Sequence, residues 1–340
     1  MVLNQNVLQA LPQKPLLSIV VPSFNQGAYI GSTLDSIFLQ SYRPIEVIVV
    51  DGGSNDDTIQ ILREYSAKYD SLSWVSETDD GVADAVNKGL KLAKGHVAAI
   101  QSSDDIYYAG AFEAAIESLK KNPHCGIVYG DSDTVNSDNK IIAHYKVPDF
   151  SWEGVFGISL SLPQQCTFFR TDVSRAIDGW KSQYYSCDLD FWMRMLLQAP
   201  AVKASIVFSA WRSHEDQRTV PAHFEHIWRG YWRMIEESDE LKRAPRRLRR
   251  LASASRHIMA FRCHPTGNLY ALRWHALLAF VLFPGFFRYL SPRQLRPLIP
   301  GYTLVRKLRG KKREFVRIID GPTATPGMPR PVFEEFQSSL

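Results

Sequence analysis

The chain has 340 residues, of which 45% are hydrophobic and 22% charged, with a formal net charge of +5. That balance excludes a disordered or fibrous chain and leaves ample core for one large domain or two modest ones. Four cysteines (Cys125, Cys166, Cys187, Cys263) without a C-x-x-C pairing speak against a disulfide or zinc framework and for reduced thiols in a cytosolic protein.

The first residues, MVLNQNVLQALPQKP, have no basic segment followed by a long apolar run, so no secretory signal is expected. Residues 17–24, LSIVVPSF, form an apolar run with β-branched residues, as in a strand buried on both faces. Gly27 opens a helical pattern with Ile30, Leu34, Ile37 and Phe38 on one face, broken at Arg43-Pro44. IEVIVVD (45–51) is a second buried strand, GGSNDD a turn with helix caps, and TIQILREYSAKY a helix. A short strand near Trp74-Val75 precedes a helix from Val82 to Lys94, with Gly95 as its C′ residue. HVAAI, AFEAAIESLKKN and CGIVYGD then read as strand, helix and strand.

This alternation predicts an α/β architecture with a mostly parallel sheet. Ligands of such sheets bind outside the carboxyl ends of the strands. Three of those ends carry Ser23-Phe24-Asn25, Asp51 and Asp104-Asp105. Neither G-x-G-x-x-G nor G-K-[ST] occurs in DGGSNDD, so dinucleotide and P-loop fingerprints are absent. Two adjacent carboxylates at a strand end are either an ordinary solvated turn with a capping Asp or a seat for a divalent cation shared with substrate phosphates.

From 151 to 220 the pattern is less regular, with a strand at CTFFR and a helix at DLDFWMRMLL. Residues 223–260 read as helical. LRWHALLAFVLFPGFFRYL is apolar for about a dozen residues between Arg273 and Arg288, short of the roughly 20 needed to span a bilayer. GPTATPGMPRP reads as a disordered tail.

Charge divides the chain. Up to Glu215 there are 17 Lys/Arg and 25 Asp/Glu; from Asp216 onward there are 23 and 10. Between Leu241 and Arg317, 19 basic residues accompany one acid, Glu314. Two parts of opposite sign imply two jobs.

Five segments occur in order: Pro22-Ser23-Phe24-Asn25, VIVVDGGSNDDT, DDGVADAVNKGLKLAKG, QSSDD and DLDFWMR. Together they resemble the family 2 glycosyltransferases, over roughly residues 16–215. The resemblance implies the GT-A nucleotide-sugar-binding fold, a mostly parallel central sheet flanked by helices. It divides the chain into an N-terminal extension (1–15), a GT-A domain (16–220), a basic helical region (221–317) and a flexible tail (318–340).

What the resemblance implies for the residues is as follows. Pro22, Phe24 and Asn25 lie at the nucleotide, with the Phe24 ring near the base. Asp51, with Gly53 in the turn after it, accepts a hydrogen bond from an imide N–H of the base; many members have a second acid before Gly-Ser, absent here. Gly81, Asp84 and Asn87 match a helix motif near the ribose and diphosphate, where Lys88 is a candidate phosphate contact. Asp104 and Asp105 form the metal motif, Asp105 the more direct ligand and Asp104 facing the ribose or a metal-bound water. Gln164 and Gln165 approach the acceptor side. Asp188 is the general base that takes a proton from the acceptor hydroxyl. Asp190 and Arg194, four apart, are read as a helix-surface pair worth about 0.2–0.5 kcal/mol. Arg212-Ser213-His214 resembles an R-x-H segment, which makes His214 a further candidate at the metal.

The expected activity is an inverting, non-processive transfer from a nucleotide-diphospho-sugar, UDP-linked in the first instance, with Mg²⁺ or Mn²⁺. The expected acceptor is a glycan or lipid-linked glycan of the cell surface. Residues 241–317 suit an anionic membrane surface, which would put the protein in the cytoplasm or peripherally on the cytoplasmic face of the inner membrane. No nucleic-acid module accompanies the charge. The alternatives are a nucleotidyltransferase on a similar sheet and a non-catalytic glycan- or membrane-binding protein.

Overall fold

The structure is a computed structural model. It describes residues 8–157, 160–215, 217, 224–263, 269–285, 315–317 and 322–331. Parts of the basic region and of the tail therefore lie outside the described residues.

The apolar runs become strands at the centre of the sheet. β1 (Leu17–Ser23) is buried throughout and pairs in parallel with both β2 (Ile45–Asp51) and β4 (Val97–Ile100). β3 (Leu72–Ser76) adds in parallel to β2. Side chains alternate across a strand. Leu17, Ile19 and Val21 therefore enter one core with α1 (Ile30–Phe38) and α4 (Ala111–Lys121), joined by Leu62 of α2 (Thr58–Lys68). Val20 enters another with α3 (Val82–Leu92) and α7 (Cys187–Gln198).

The parallel arrangement holds for β3-β2-β1-β4. Beyond β4 the pairing is mainly antiparallel, so the sheet as a whole is mixed. β6 (Ile127–Val135) and β7 (Ile141–Tyr145) are joined by a short connection, which forces them antiparallel. β8 (Thr167–Arg170) lies between β4 and β6. β5 (Ile106–Tyr107) pairs with the long β9 (Ala201–Arg212), which also runs parallel to β6. β7 and β9 had no clear sequence signal.

Three details differ from expectation. α3 stops at Leu92, and Gly95 serves close approach instead of capping: a Cβ there would lie 2.4 Å from the Ser18 hydroxyl and 2.7 Å from the Leu16 carbonyl. Asp190 and Arg194 are fully buried, with Arg194 Nε 2.7 Å from Asp190 Oδ2, so the surface-pair magnitude does not apply. The Arg194 guanidinium also donates to the Ile177 and Gly179 carbonyls and fixes the loop before α7.

The third difference is at the C-terminal end. Residues 322–331, expected in a disordered tail, lie on the fold. Ala324 is fully buried with Ile106, Tyr108 and Ala210, and Arg330 donates twice to buried Asp133, at 2.7 and 3.0 Å. β10 (Phe315–Arg317) pairs with β7. A Gly/Pro-rich segment is placed here by backbone bonds and one charge pair, which composition does not register.

The short helices α5 (Trp152–Phe156) and α6 (Thr171–Arg175) bracket β8. α8 (Phe224–Glu237), α9 (Asp239–Arg243) and α10 (Arg246–Cys263) place Tyr231, Met234, Leu241, Leu248 and Leu251 in the same core as Trp180 and Phe191. α11 (Leu269–Leu282) packs on α10. Among the described residues no helix is long and apolar enough to cross a membrane.

Candidate active site

The register aligns the carboxyl ends of the parallel strands: Ser23 lies opposite Asp51, and Asp51 opposite Ser76. A cavity of about 880 Å³ opens there, within the usual range for small-molecule sites. Pro22, Ser23 and Phe24 enter it from the end of β1, Gly52 from the end of β2, and Ser102, Ser103 and Asp104 from the end of β4. Ser186, Cys187, Asp188 and Leu189 enter from the first turn of α7, and Ile227 of α8 and Met259 of α10 close the far wall.

Phe24 is 59% exposed, an unusual position for a phenylalanine beside a buried strand, and its ring lies on the cavity. Asn25 does not line the cavity. Its backbone adopts a left-handed φ of 52°, its N–H donates to the Ser54 hydroxyl at 2.7 Å, and its Oδ1 accepts from the Asn55 N–H at 3.0 Å. Asn25 thus braces the turn after β2.

Asp51, expected to accept a hydrogen bond from the base, is fully buried and does not line the cavity. Oδ2 accepts from the N–H groups of Gly53 (3.0 Å) and Ser54 (2.8 Å) and from the Ser76 hydroxyl (2.7 Å); Oδ1 accepts from the Ser54 hydroxyl. Gly53, at φ 85°, permits that turn. The acid reaching the cavity at this end is Asp79, which sequence reasoning passed over.

The residues of the α3 helix motif are engaged within the protein. Asn87 Oδ1 accepts from the Trp180 N–H at 2.7 Å and its Nδ2 donates to the Trp180 carbonyl at 2.8 Å. The side chain is spent on the loop before α7 and does not line the cavity. Asp84 pairs with Lys88 at 3.0 Å and Lys88 with Glu77 at 2.7 Å, so the lysine is engaged by two acids and neither Asp84 nor Lys88 reaches the cavity.

At the end of β4 the two adjacent aspartates part. Asp104 faces the cavity; Asp105 is 1% exposed and turned into the protein. Asp105 Oδ1 accepts the backbone N–H of Arg212 at 2.8 Å, and its carbonyl accepts the Thr33 hydroxyl at 2.8 Å. Burial, then the charge of Asp104, raises the Asp105 pKa well above the usual carboxylate range. Asp105, expected as the more direct metal ligand, anchors β9 here, and Asp104 is the carboxylate that lines the cavity.

β9 carries Arg212 and His214 to this point. Arg212 Nε donates to the Asp104 carbonyl at 2.7 Å while its guanidinium lies over the Tyr29 ring, 4.8 Å from the centroid. Burial lowers the Arg212 pKa. His214 Nε2 is 2.9 Å from Asp104 Oδ2, and its Nδ1 is buried without a hydrogen-bond partner.

Asp188 is half-buried in the first turn of α7, on the cavity wall. Gln164 lines the same wall, its amide 3.4 Å from the Ser102 hydroxyl; Gln165 turns away to Ser132 at 3.0 Å. Trp180, Tyr185 and Trp211 add aromatic surface that no local sequence pattern announced. Ser102 and Ser103, adjacent to the aspartates, were within reach of sequence reasoning.

No group of three His, Cys, Asp or Glu is preassembled for a metal among the described residues. The donor set nevertheless fits a Mg²⁺- or Mn²⁺-type ion: one presented carboxylate, Asp104, backed by the His214 imidazole, and open cavity for phosphate oxygens and water.

Residues 18–174 match the model of glycosyl transferase family 2. They form a family 2 glycosyltransferase domain. The chain is 29% identical over 167 residues to a chondroitin synthase of Escherichia coli, an alignment covering 49% of this chain and 24% of that protein. It spans 36% of a second glycosyltransferase relative. The fold is that of TarS residues 1–349 from S. aureus, solved in complex with UDP-GlcNAc: TM-score 0.57, 18% identity, 86% of this chain and 87% of that one. It is also similar to the mannosyltransferase PcManGT from Pyrobaculum calidifontis, solved with GDP-Man and Mn²⁺, at TM-score 0.53 and 18% identity over 90% of each chain. The GT-A fold expected from the family 2 motifs is therefore the fold observed, and the cavity walls supplied by Ile227 and Met259 lie outside the family 2 match.

Proposed function

We propose that the chain is a metal-dependent, inverting glycosyltransferase that moves a sugar from a UDP-linked donor to a hydroxyl of a glycan or lipid-linked glycan. One observation carries the reading: a single cavity is lined by the exposed Phe24, by Asp104, which His214 backs from within the protein, and by Asp188.

Phe24 offers the base a stacking face, worth about 1–3 kcal/mol. Asp51 supports the base edge from beneath by holding the Gly53–Ser54 turn through its carboxylate. Asp104, backed by His214, would hold a Mg²⁺ or Mn²⁺ ion, and Asp105 keeps that pair in place by clamping β9. The cation, when bound, offsets the charge that builds on the departing nucleoside diphosphate. Asp188 accepts the proton of the acceptor hydroxyl as its oxygen bonds to the anomeric carbon. The anomeric carbon–diphosphate bond breaks on the opposite side, its electron pair leaves with the nucleotide, and the configuration inverts. The catalytic unit is assigned to 16–220, with α8 and α10 completing its wall. A site on the cytoplasmic face of a membrane suits a lipid-linked acceptor.

Titration calorimetry with UDP, with and without Mn²⁺, tests the donor half. Metal-dependent binding supports it; its absence, or binding unchanged by Asp104→Ala, refutes the assignment. Asp188→Asn should keep UDP binding and lose transfer.

A further inference from the structure

α10 and α11 form a face with two chemistries side by side. Leu248, Leu251 and Ala252 of α10 point into the core, while Arg246, Arg247 and Arg250 are exposed. Those three arginines, with Phe283 and Pro284 just past α11, line a pocket of about 560 Å³. Arg250 Nε donates to the Leu282 carbonyl at 3.2 Å, so the cationic turn and the end of α11 are tied together.

On α11, Ala276 and Ala279 are buried against the protein, whereas Trp274, Leu277 and Val281 are 59%, 51% and 63% exposed. Their spacing of three and four puts them on one helix face. Scattered exposed apolar residues need no explanation; a contiguous stripe beside a cationic pocket does.

We propose that this face docks on a bilayer containing anionic phospholipid, with the arginine pocket taking a headgroup phosphate and Trp274, Leu277 and Val281 entering the acyl boundary. Charge complementarity selects this occupant. From Leu241 to Arg317 the sequence holds 19 basic residues and one acid, so the same sign continues beyond the pocket. A nucleic acid would use the arginines and leave the apolar stripe in water. At 14 residues α11 is about 21 Å long, shorter than a bilayer's hydrocarbon core of about 30 Å, so it lies in the surface and does not cross it.

The location has a consequence for the cavity. Met259, on the same helix as the arginines, reaches the cavity wall. Nine to thirteen residues separate it from Arg250 and Arg246, about 14–20 Å along the axis. A docked chain therefore holds the Met259 wall of its cavity within that distance of the headgroups along α10. This consequence rests on the proposed transfer activity; the docking itself does not.

The test uses the full chain and no nucleotide. Co-sedimentation with phosphatidylglycerol/phosphatidylcholine vesicles should show binding that phosphatidylcholine alone does not support and that added salt weakens. Arg246→Glu with Arg250→Glu should lower partitioning at least about tenfold. Brominated acyl chains should quench tryptophan emission, and Trp274→Phe should abolish most of the quenching while vesicle binding persists. Melting and UDP titration of each variant verify the fold and separate this proposal from the activity. Equal binding to both vesicles, quenching unaffected by Trp274→Phe, preferential binding of RNA, or a dimer broken by Val281→Glu without vesicle binding would each overturn it.

Discussion

Replacing Phe24 with alanine separates a ring held for a ligand from a ring held for the core. A buried phenylalanine cut to alanine costs about 3–5 kcal/mol of stability. Phe24 is 59% exposed, so most of its surface already meets water, and the loss should stay within about 0.5 kcal/mol. Binding should respond differently. A base stacked on the ring contributes about 1–3 kcal/mol, and at 1.4 kcal/mol per tenfold the dissociation constant of UDP should rise about 5- to 150-fold. Calorimetry in saturating Mn²⁺ measures the constant, and a thermal melt of the free protein measures the fold. Phe24→Tyr should restore binding, since it keeps the face. The reasoning fails if the alanine variant binds UDP as the parent does, or if its weaker binding accompanies a melting loss of the size expected for a core ring.

Asp104→Asn should remove most of the Mn²⁺-dependent gain in UDP affinity while leaving metal-free binding unchanged, read by the same titration. Arg330→Ala should destabilise by about 3–5 kcal/mol, because Asp133, fully buried and held below the usual carboxylate range despite burial by bonds from His144, Arg330 and Tyr108, would lose its permanent cation; denaturant unfolding gives the value. His257, packed against Trp232, His275 and Arg256, has its pKa lowered to about 4 by burial first and by Arg256 and His275 next. Between about 4 and its ordinary 6.5 the unfolded chain binds the extra proton. Stability should therefore rise with pH across that window and lose the dependence in His257→Gln, as pH-dependent melting would show.

Much of the architecture is legible in the residues. The buried strands announce themselves as unbroken apolar runs, and β2 begins and ends where IEVIVVD does. Because parallel strands in register finish together, Phe24, Asp51 and Asp104-Asp105 had to gather at one edge. Asp188 came from the family motif DLDFWMR, and the start of α7 puts it on the cavity wall. The motif of α3 was legible as a pattern but not in its contacts: Asn87 bonds a backbone 93 residues away, and a helix face shows which side chains share a direction, not what lies opposite.

Sequence alone determined the alternation of strands and helices, the shared edge where polar groups collect, and the excess of positive charge in the last third. Tertiary structure decided which of two adjacent aspartates faces the cavity. Nothing local distinguishes Asp104 from Asp105; the arrival of β9, with an amide for one and an imidazole for the other from more than 100 residues away, turns the first outward and the second in. It also decided that a Gly/Pro-rich end would cover the sheet and that two late helices would wall the cavity. Such contacts join distant segments through shape and single bonds, and these leave no period in the chain for a reader to find.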